Sequence, residues 1–234
     1  MLAPFKDDAV LIGGWVPELR FPDAYPGHVG SIDVDFAMRA SRERHAAVVA
    51  LLDRHGFLPG REPYQFLKNV DVNGKSIPVK LDLLTSPQHL AANLAGADRP
   101  PHAASGTDFA FQDNTIESIG EVPVRVAAVV PLIIMKAYAM LERAKPKDAY
   151  DFNFCLENYP GGVAALAQEF ASVIGDPAVR DVLTRVARKF KDEEDSGPRD
   201  VVEIEGQMGE SRAIRKFAVF TKADDFLRAL NLRP

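Results

Sequence analysis

The sequence predicts an α+β fold: a mixed sheet with flanking helices, followed by a helical C-terminal region. Three observations carry this expectation. Strand-length apolar or alternating runs, separated by glycine-containing turns, fill the front of the chain. From about Pro131 the spacing becomes helical, as in "LIIMKAYAMLERA" and "PKDAYDFNFCLENY". No internal repeat is visible. The division expected is residues 1–125 for the α+β part and residues 126–234 for the helical part.

Taken in order, Val10-Leu11-Ile12 forms a short apolar strand that stops at Gly13 and Gly14, and "WVPELRF" begins a short helix. "PDAYPGHVG" is rich in turn formers and reads as loop. Ile32, Val34 and Phe36 alternate with Ser31, Asp33 and Asp35, the period of two that marks a strand. Ser41 is placed to cap a helix reaching about His55, with Val48, Leu51, Leu52 and His55 on its stripe and Gly56 as its stop. "YQFLKNVDVNGKSIPVKLDLL" holds two strand-like runs around Asn73-Gly74, a dipeptide favoured in tight hairpins. Between Leu84 and Asp113 the pattern weakens to loop and short helix, and "TIESIGEVPVRVA" is again strand-like. Later runs such as "VAALAQEFASVI", "PAVRDVLTRVARKF" and "KADDFLRAL" are helical, with "KDEEDSGPRD" as a charged loop.

Composition narrows the function classes. A net charge of −5 argues against general coating of nucleic acid and leaves room for one local basic groove. Cys155 is the single cysteine, which excludes an internal disulfide and a cysteine-based zinc site and fits a reducing cytosol. The opening residues lack the pattern of a signal peptide. The longest apolar stretch, "VAAVVPLIIM", is too short to span a bilayer, so a cytoplasmic protein without membrane association is expected.

Asp33 and Asp35 stand two apart on a strand and leave it from the same face. Two carboxylates so placed repel unless a cation or water lies between them. A solvated polar face is one reading. The other gains from Asp82, which lies opposite Leu81 and Leu83 in "VKLDLL" and joins the pair if its strand lies beside theirs. Three carboxylates on adjacent strands suit magnesium, which takes few protein oxygens and keeps positions for water and phosphate. Two such ions clamp the attacking and leaving oxygens of a phosphoryl displacement. Gly13 and Gly14, without Cβ atoms, would let backbone N–H groups approach a triphosphate; a plain tight turn explains a lone glycine pair as well.

At these residues the chain resembles the DNA-polymerase-β-like nucleotidyltransferase superfamily. Ile12-Gly13-Gly14, Asp33-Val34-Asp35 and Asp82 match its signature. The block "PLIIMKAYAMLERAKPKDAYDFNF" resembles the AbiEii branch, toxins of type IV toxin–antitoxin systems, through Lys136, Arg143, Lys145, Lys147, Asp148 and Asp151. The resemblance covers roughly residues 10–155. It implies a nucleotidyltransferase that moves an NMP from an NTP to an acceptor hydroxyl with release of pyrophosphate. Catalytic and metal-binding roles fall to Asp33, Asp35 and Asp82, with one or two Mg²⁺ ions. Nucleotide binding falls to Gly13, Gly14, Lys136, Asp148 and Asp151. The acceptor implied is RNA or tRNA for a toxin, and a small molecule or a protein in other branches; a cognate antitoxin is the implied partner. A module that binds nucleotide without turnover is the alternative outside enzymes.

Two departures stand out. Trp15 follows the glycines where several branches carry a small hydroxylated residue, and the stretch from Gly14 to Asp33 is long, the excess lying in "FPDAYPGHVG". That loop either shapes an acceptor pocket or is an insertion. Lys136 shares a stripe with Ile133, Ala137, Met140 and Arg143. Its head either snorkels to water or neutralises phosphate, as the resemblance implies. Asp148 also reads as a helix-N-terminal acid favoured by the dipole. His28 reads as a solvated loop residue, His45, His55, His89 and His102 as isolated, and Cys155 as a packed core thiol. Arg39, Arg42 and Arg44 form either a basic rim for a nucleic-acid acceptor or a solvated helix start.

Overall fold

The computed structural model describes residues 5–233. The chain folds into two compact units: residues 1–20 with 29–131, and residues 21–28 with 132–234.

The first unit is built on one mixed sheet. Its strands are β1 (Ala9–Ile12), β2 (Asp33–Met38), β3 (Leu58–Pro59), β4 (Gln65–Val72), β5 (Lys75–Thr85), β6 (His102–Ala103), β7 (Asn114–Ile119) and β8 (Val122–Ala127). They lie in the order β3-β4-β5-β2-β1-β8-β7, with β6 beside β5. β4 and β5 form the hairpin expected at Asn73-Gly74, where Asn73 and Gly74 take φ of 54° and 77°. The "TIESIGEVPVRVA" run divides into β7 and β8 because Gly120, at φ 61°, turns the chain back on itself. Ile12 leads into a 3₁₀ turn, Gly13–Trp15, and then α1 (Val16–Arg20). Arg20 holds α1 to the sheet by donating to the carbonyls of Val126 and Ala127.

α2 (Arg42–Arg54) covers one sheet face. Ser41 caps it, its hydroxyl accepting from the Arg44 N–H at 3.3 Å. The stripe differs from the one expected: His45, Val48, Val49 and Leu52 are buried, whereas His55 is exposed. The helix ends at Arg54, so His55 turns off its face as the C-cap. Val48, Val49 and Leu52 pack with Met38, Phe66, Leu81 and Leu83. The weakly patterned stretch holds only short pieces, α3 (Pro87–His89), a π turn (Leu90–Leu94) and α4 (Phe109–Gln112).

α5 (Val129–Glu142) starts at the end of the first unit and continues in the second. Pro131 lies in its first turn, where the missing N–H costs no helical bond. α6 (Pro146–Asn158) begins with a proline at its first position, as expected, and α7 (Gly162–Glu169), α8 (Pro177–Val186), α9 (Ser196–Ile204) and α10 (Gly209–Ala229) complete the unit. Phe152, Phe190, Phe226 and Phe170 form its aromatic centre, with ring centroids 5.3–6.1 Å apart. Among the described residues no helix is long and apolar enough to cross a membrane.

Leu83 of β5 is fully buried in the cluster with α2 and lies opposite Phe36 in the β2–β5 pairing. Leu83→Ala should destabilise the protein by roughly 2–5 kcal/mol, read as a lower urea midpoint at unchanged slope.

Candidate active site

The residues singled out in the first unit come together through strand register. β2 and β5 pair in parallel, with Asp33 opposite Lys80, Asp35 opposite Asp82 and Phe36 opposite Leu83. Because successive side chains alternate, Asp33, Asp35, Lys80 and Asp82 share one face and Val34, Phe36, Leu81 and Leu83 share the other. Phe36, Leu81 and Leu83 of the apolar set pack with α2, and the acidic set is left on the opposite side.

Gly13 is fitted against this acidic face. Ile12 pairs with Asp35, and Gly13 then turns at φ 77°. A Cβ on Gly13 would meet Asp35 Oδ2 at 2.1 Å, so only glycine lets the carboxylate stand there. Gly14 is buried inside the 3₁₀ turn. The two glycines thus open a turn whose backbone lies against a carboxylate.

Lys80 carries no motif of its own in the sequence, although it sits two residues before Asp82 and obeys the same alternation. Its Nζ lies 2.8 Å from Asp33 Oδ2 and 3.2 Å from Asp82 Oδ2. Burial alone would lower the Lys80 pKa, but the two carboxylates outweigh it and raise it. Asp82 also shifts upward: burial penalises its charge more than Lys80 favours it, and Asp33 adds repulsion. Asp82 Oδ1 is buried and has no hydrogen-bond partner.

Among the described residues no three Asp, Glu, His or Cys side chains are so placed that they could hold a metal ion together. The ammonium of Lys80 binds two of the oxygens such a cage would use. By chemistry, though not by present placement, the donors are those a hard divalent ion takes: three carboxylates of adjacent strands, one of them with an oxygen that is buried and unbonded.

In the second unit Lys136, Asp148 and Asp151 form a buried ion cluster. Lys136 Nζ is 3.0 Å from Asp148 Oδ1 and 2.5 Å from Asp151 Oδ2. Arg143 donates to both oxygens of Asp148, at 2.8 and 2.7 Å, and Lys147 bonds Asp151 Oδ1 at 2.8 Å. Lys136 does not snorkel: it is buried, and its charge is met inside the protein. Burial opposes ionisation of all three, and pairing wins. The Lys136 pKa is raised because Asp151 and Asp148 outweigh its desolvation. The Asp148 carboxyl is lowered by Arg143 and Lys136, and the Asp151 carboxyl by Lys136, His28 and Lys147.

His28 is the clearest correction to the sequence reading. Far from being solvated, its side chain is fully buried, with Nε2 2.9 Å from Asp151 Oδ1. Its ring packs against Tyr150 and Phe154, at 5.2 and 5.0 Å between centroids. The only hint in the sequence is Asp151 itself, a carboxylate within an apolar helical pattern that needs partners. The arginines after β2 are engaged by their own unit: Arg39 lies over the Phe111 ring, Arg42 bonds the Ala95 carbonyl, and Arg44 pairs with Asp8. Cys155 is buried as expected, and burial pushes its thiol up.

With this geometry in place, the family model described as nucleotidyl transferase AbiEii toxin, type IV toxin–antitoxin system, matches residues 2–228. The chain belongs to the AbiEii nucleotidyltransferase family. It is therefore a nucleotidyltransferase of a toxin class. Among solved structures, an antigenic nucleotidyltransferase-like protein from Paracoccidioides brasiliensis is similar at 16% identity, with 81% of this chain and 84% of that chain covered and a TM-score of 0.43. No curated protein matches the chain.

Gly13→Ala should displace Asp35 and abolish transfer while the far-ultraviolet circular dichroism stays that of the parent. Asp151→Asn leaves Lys136 with one buried carboxylate and should cost about 3–5 kcal/mol in chemical denaturation. The depressed Asp148 and Asp151 carboxyls contribute stability above the unfolded carboxyl range that is lost as pH falls through their folded values. Acid titration of the parent should therefore show loss of stability below about pH 4, with a shallower slope in Asp151→Asn.

Proposed function

We propose that the Asp33–Asp35–Asp82 face is the catalytic site of this AbiEii-family enzyme and that it works with Mg²⁺. The observation that carries the proposal is the β2–β5 register, which sets Asp35 beside Asp82 with Asp33 on the same face. A divalent ion bound there would hold the NTP phosphates and offset charge on the transferring group. Asp33 and Asp35 are assigned as its principal ligands. Gly13 and Gly14 are assigned to the phosphates through their backbone, where the 3₁₀ turn leaves no side chain at the first position.

In the proposed reaction an acceptor hydroxyl oxygen bonds to the α-phosphorus of the NTP. The bond from that phosphorus to the bridging oxygen of the β-phosphate breaks, and pyrophosphate leaves. Asp82 is assigned the proton of the attacking hydroxyl, because the β2–β5 register sets it beside Asp35 on the same face. Lys136, Asp148 and Asp151 are assigned to nucleotide binding, with Asp148 and Asp151 fixing the position of the ammonium.

An RNA or tRNA end is the acceptor we propose, on the strength of the toxin class of the family. A cognate antitoxin is the proposed partner and the cytoplasm the proposed site of action. A small-molecule acceptor is the competing substrate class.

Incubating the protein with Mg²⁺, each α-labelled NTP in turn and total cellular RNA should transfer label to RNA. Asp35→Asn should reduce transfer by at least ~10³-fold with no change in fold. Turnover by Asp35→Asn equal to that of the parent would remove the assignment, and label appearing only on small molecules would move the acceptor to that class.

A further inference from the structure

We propose that Lys80 is a resident counter-ion of the carboxylate face, which a divalent ion must displace from Asp33 and Asp82 in order to bind. The inference rests on the reading of those carboxylates as metal ligands. Its basis is the placement of one ammonium on two of the three acids. Lys80 stands opposite Asp33 across the β2–β5 pairing and two residues from Asp82 along its own strand, and its Nζ reaches both. The oxygens it touches, Asp33 Oδ2 and Asp82 Oδ2, are among those a metal would need.

A lysine in this position acts in two ways on an entering cation. It competes for the same oxygens, and its charge repels the ion until it moves. Displacement is feasible because the side chain keeps about a quarter of its surface in solvent (27%), so the ammonium has water to move into. A metal arriving alone therefore meets a site whose charge is already partly balanced. A metal arriving with a triphosphate brings oxygens of its own, and a lysine serves as a point charge for phosphate. Lys80 thus couples metal binding to nucleotide binding, and by linkage each raises the affinity for the other.

The test uses Mn²⁺ as the probe, with free ion counted by electron paramagnetic resonance, on the full chain and on Lys80→Met, Lys80→Gln and Lys80→Arg. Each titration is run alone and with α,β-methylene analogues of the four NTPs. Lys80→Met and Lys80→Gln should bind Mn²⁺ alone about tenfold more tightly than the parent, with the enhancement by nucleotide reduced. Lys80→Arg, which keeps a cation, should stay near the parent. In the parent itself, acylation of Lys80 followed by mass spectrometry should accelerate severalfold when Mn²⁺ saturates the site without nucleotide. Folded Lys80→Met or Lys80→Gln with unchanged or weaker Mn²⁺ affinity overturns the proposal, as does unchanged acylation of the parent. Absence of Mn²⁺ binding by the parent, with and without nucleotide, instead removes the metal reading of the three carboxylates and this proposal with it.

Discussion

The parallel pairing of β2 with β5 is the constraint on which the candidate site depends. Neither strand holds the acidic face alone: β2 brings Asp33 and Asp35, and β5 brings Lys80 and Asp82. A slip of one residue would turn Asp82 to the other side of the sheet and bring Leu81 or Leu83 in its place. What prevents that slip is the opposite face. Phe36, Leu81 and Leu83 pack in one apolar cluster with Val48, Val49 and Leu52 of α2, and a one-residue slip of β5 would turn Leu81 and Leu83 away from it. The apolar side of the sheet thereby fixes the geometry of the polar side. Gly13 adds a second limit, because β1 runs antiparallel to β2 and its turn comes within van der Waals reach of Asp35.

The two units use the same ions to opposite ends. In the second unit, Lys136, Arg143, Lys147 and His28 surround Asp148 and Asp151, whose side chains have at most 1% of their surface exposed. Their charges are matched by fixed partners, and removing one partner leaves another stranded out of water. In the first unit the match is incomplete. A single ammonium serves Asp33 and Asp82, Asp33 keeps 40% of its side-chain surface in solvent, and Asp82 Oδ1 has no hydrogen-bond partner. Two acids that share one partly exposed ammonium can take a further cation, whereas two buried acids each paired with several fixed cations brace the helices that carry them. The lysine–aspartate block therefore braces its own helices, and the part proposed for it in nucleotide binding rests on an ammonium that its two carboxylates hold in place.

Local rules make much of this legible. The period of two announces β2 and places Asp33 with Asp35, Asn73-Gly74 locates the β4–β5 hairpin, and Ser41 marks the start of α2. Asp82 needs something further, since its meeting with Asp35 depends on a pairing of strands far apart in the chain that no local pattern encodes. Lys80 obeys the same alternation rule, yet a lysine on a strand reads as a solvated residue and gives no sign of the two acids it joins. The stripe of α2 fails at its end, where a capping residue leaves the helical path and periodicity no longer applies. His28 has no local signal: histidine in a segment dense with proline and glycine looks like surface, and only the helix it packs against makes it interior.

That last case also bears on the long stretch between Gly14 and Asp33. An insertion in a surface loop has little to hold it, because closing a longer loop adds only a small entropic cost and gains no contact. Residues 21–28 are of another kind. They belong to the second unit, where Phe21 packs edge-on to Phe154 and His28 fills a buried position between Tyr150, Phe154 and Asp151. The Asp151 carboxylate, held deep in the unit by Lys136 and Lys147, gains from His28 a third partner that no residue of α5 or α6 supplies. Phe21 and His28 thus anchor the two ends of the segment in a hydrophobic and ionic core, while Pro22, Asp23, Tyr25, Pro26 and Gly27 between them remain exposed.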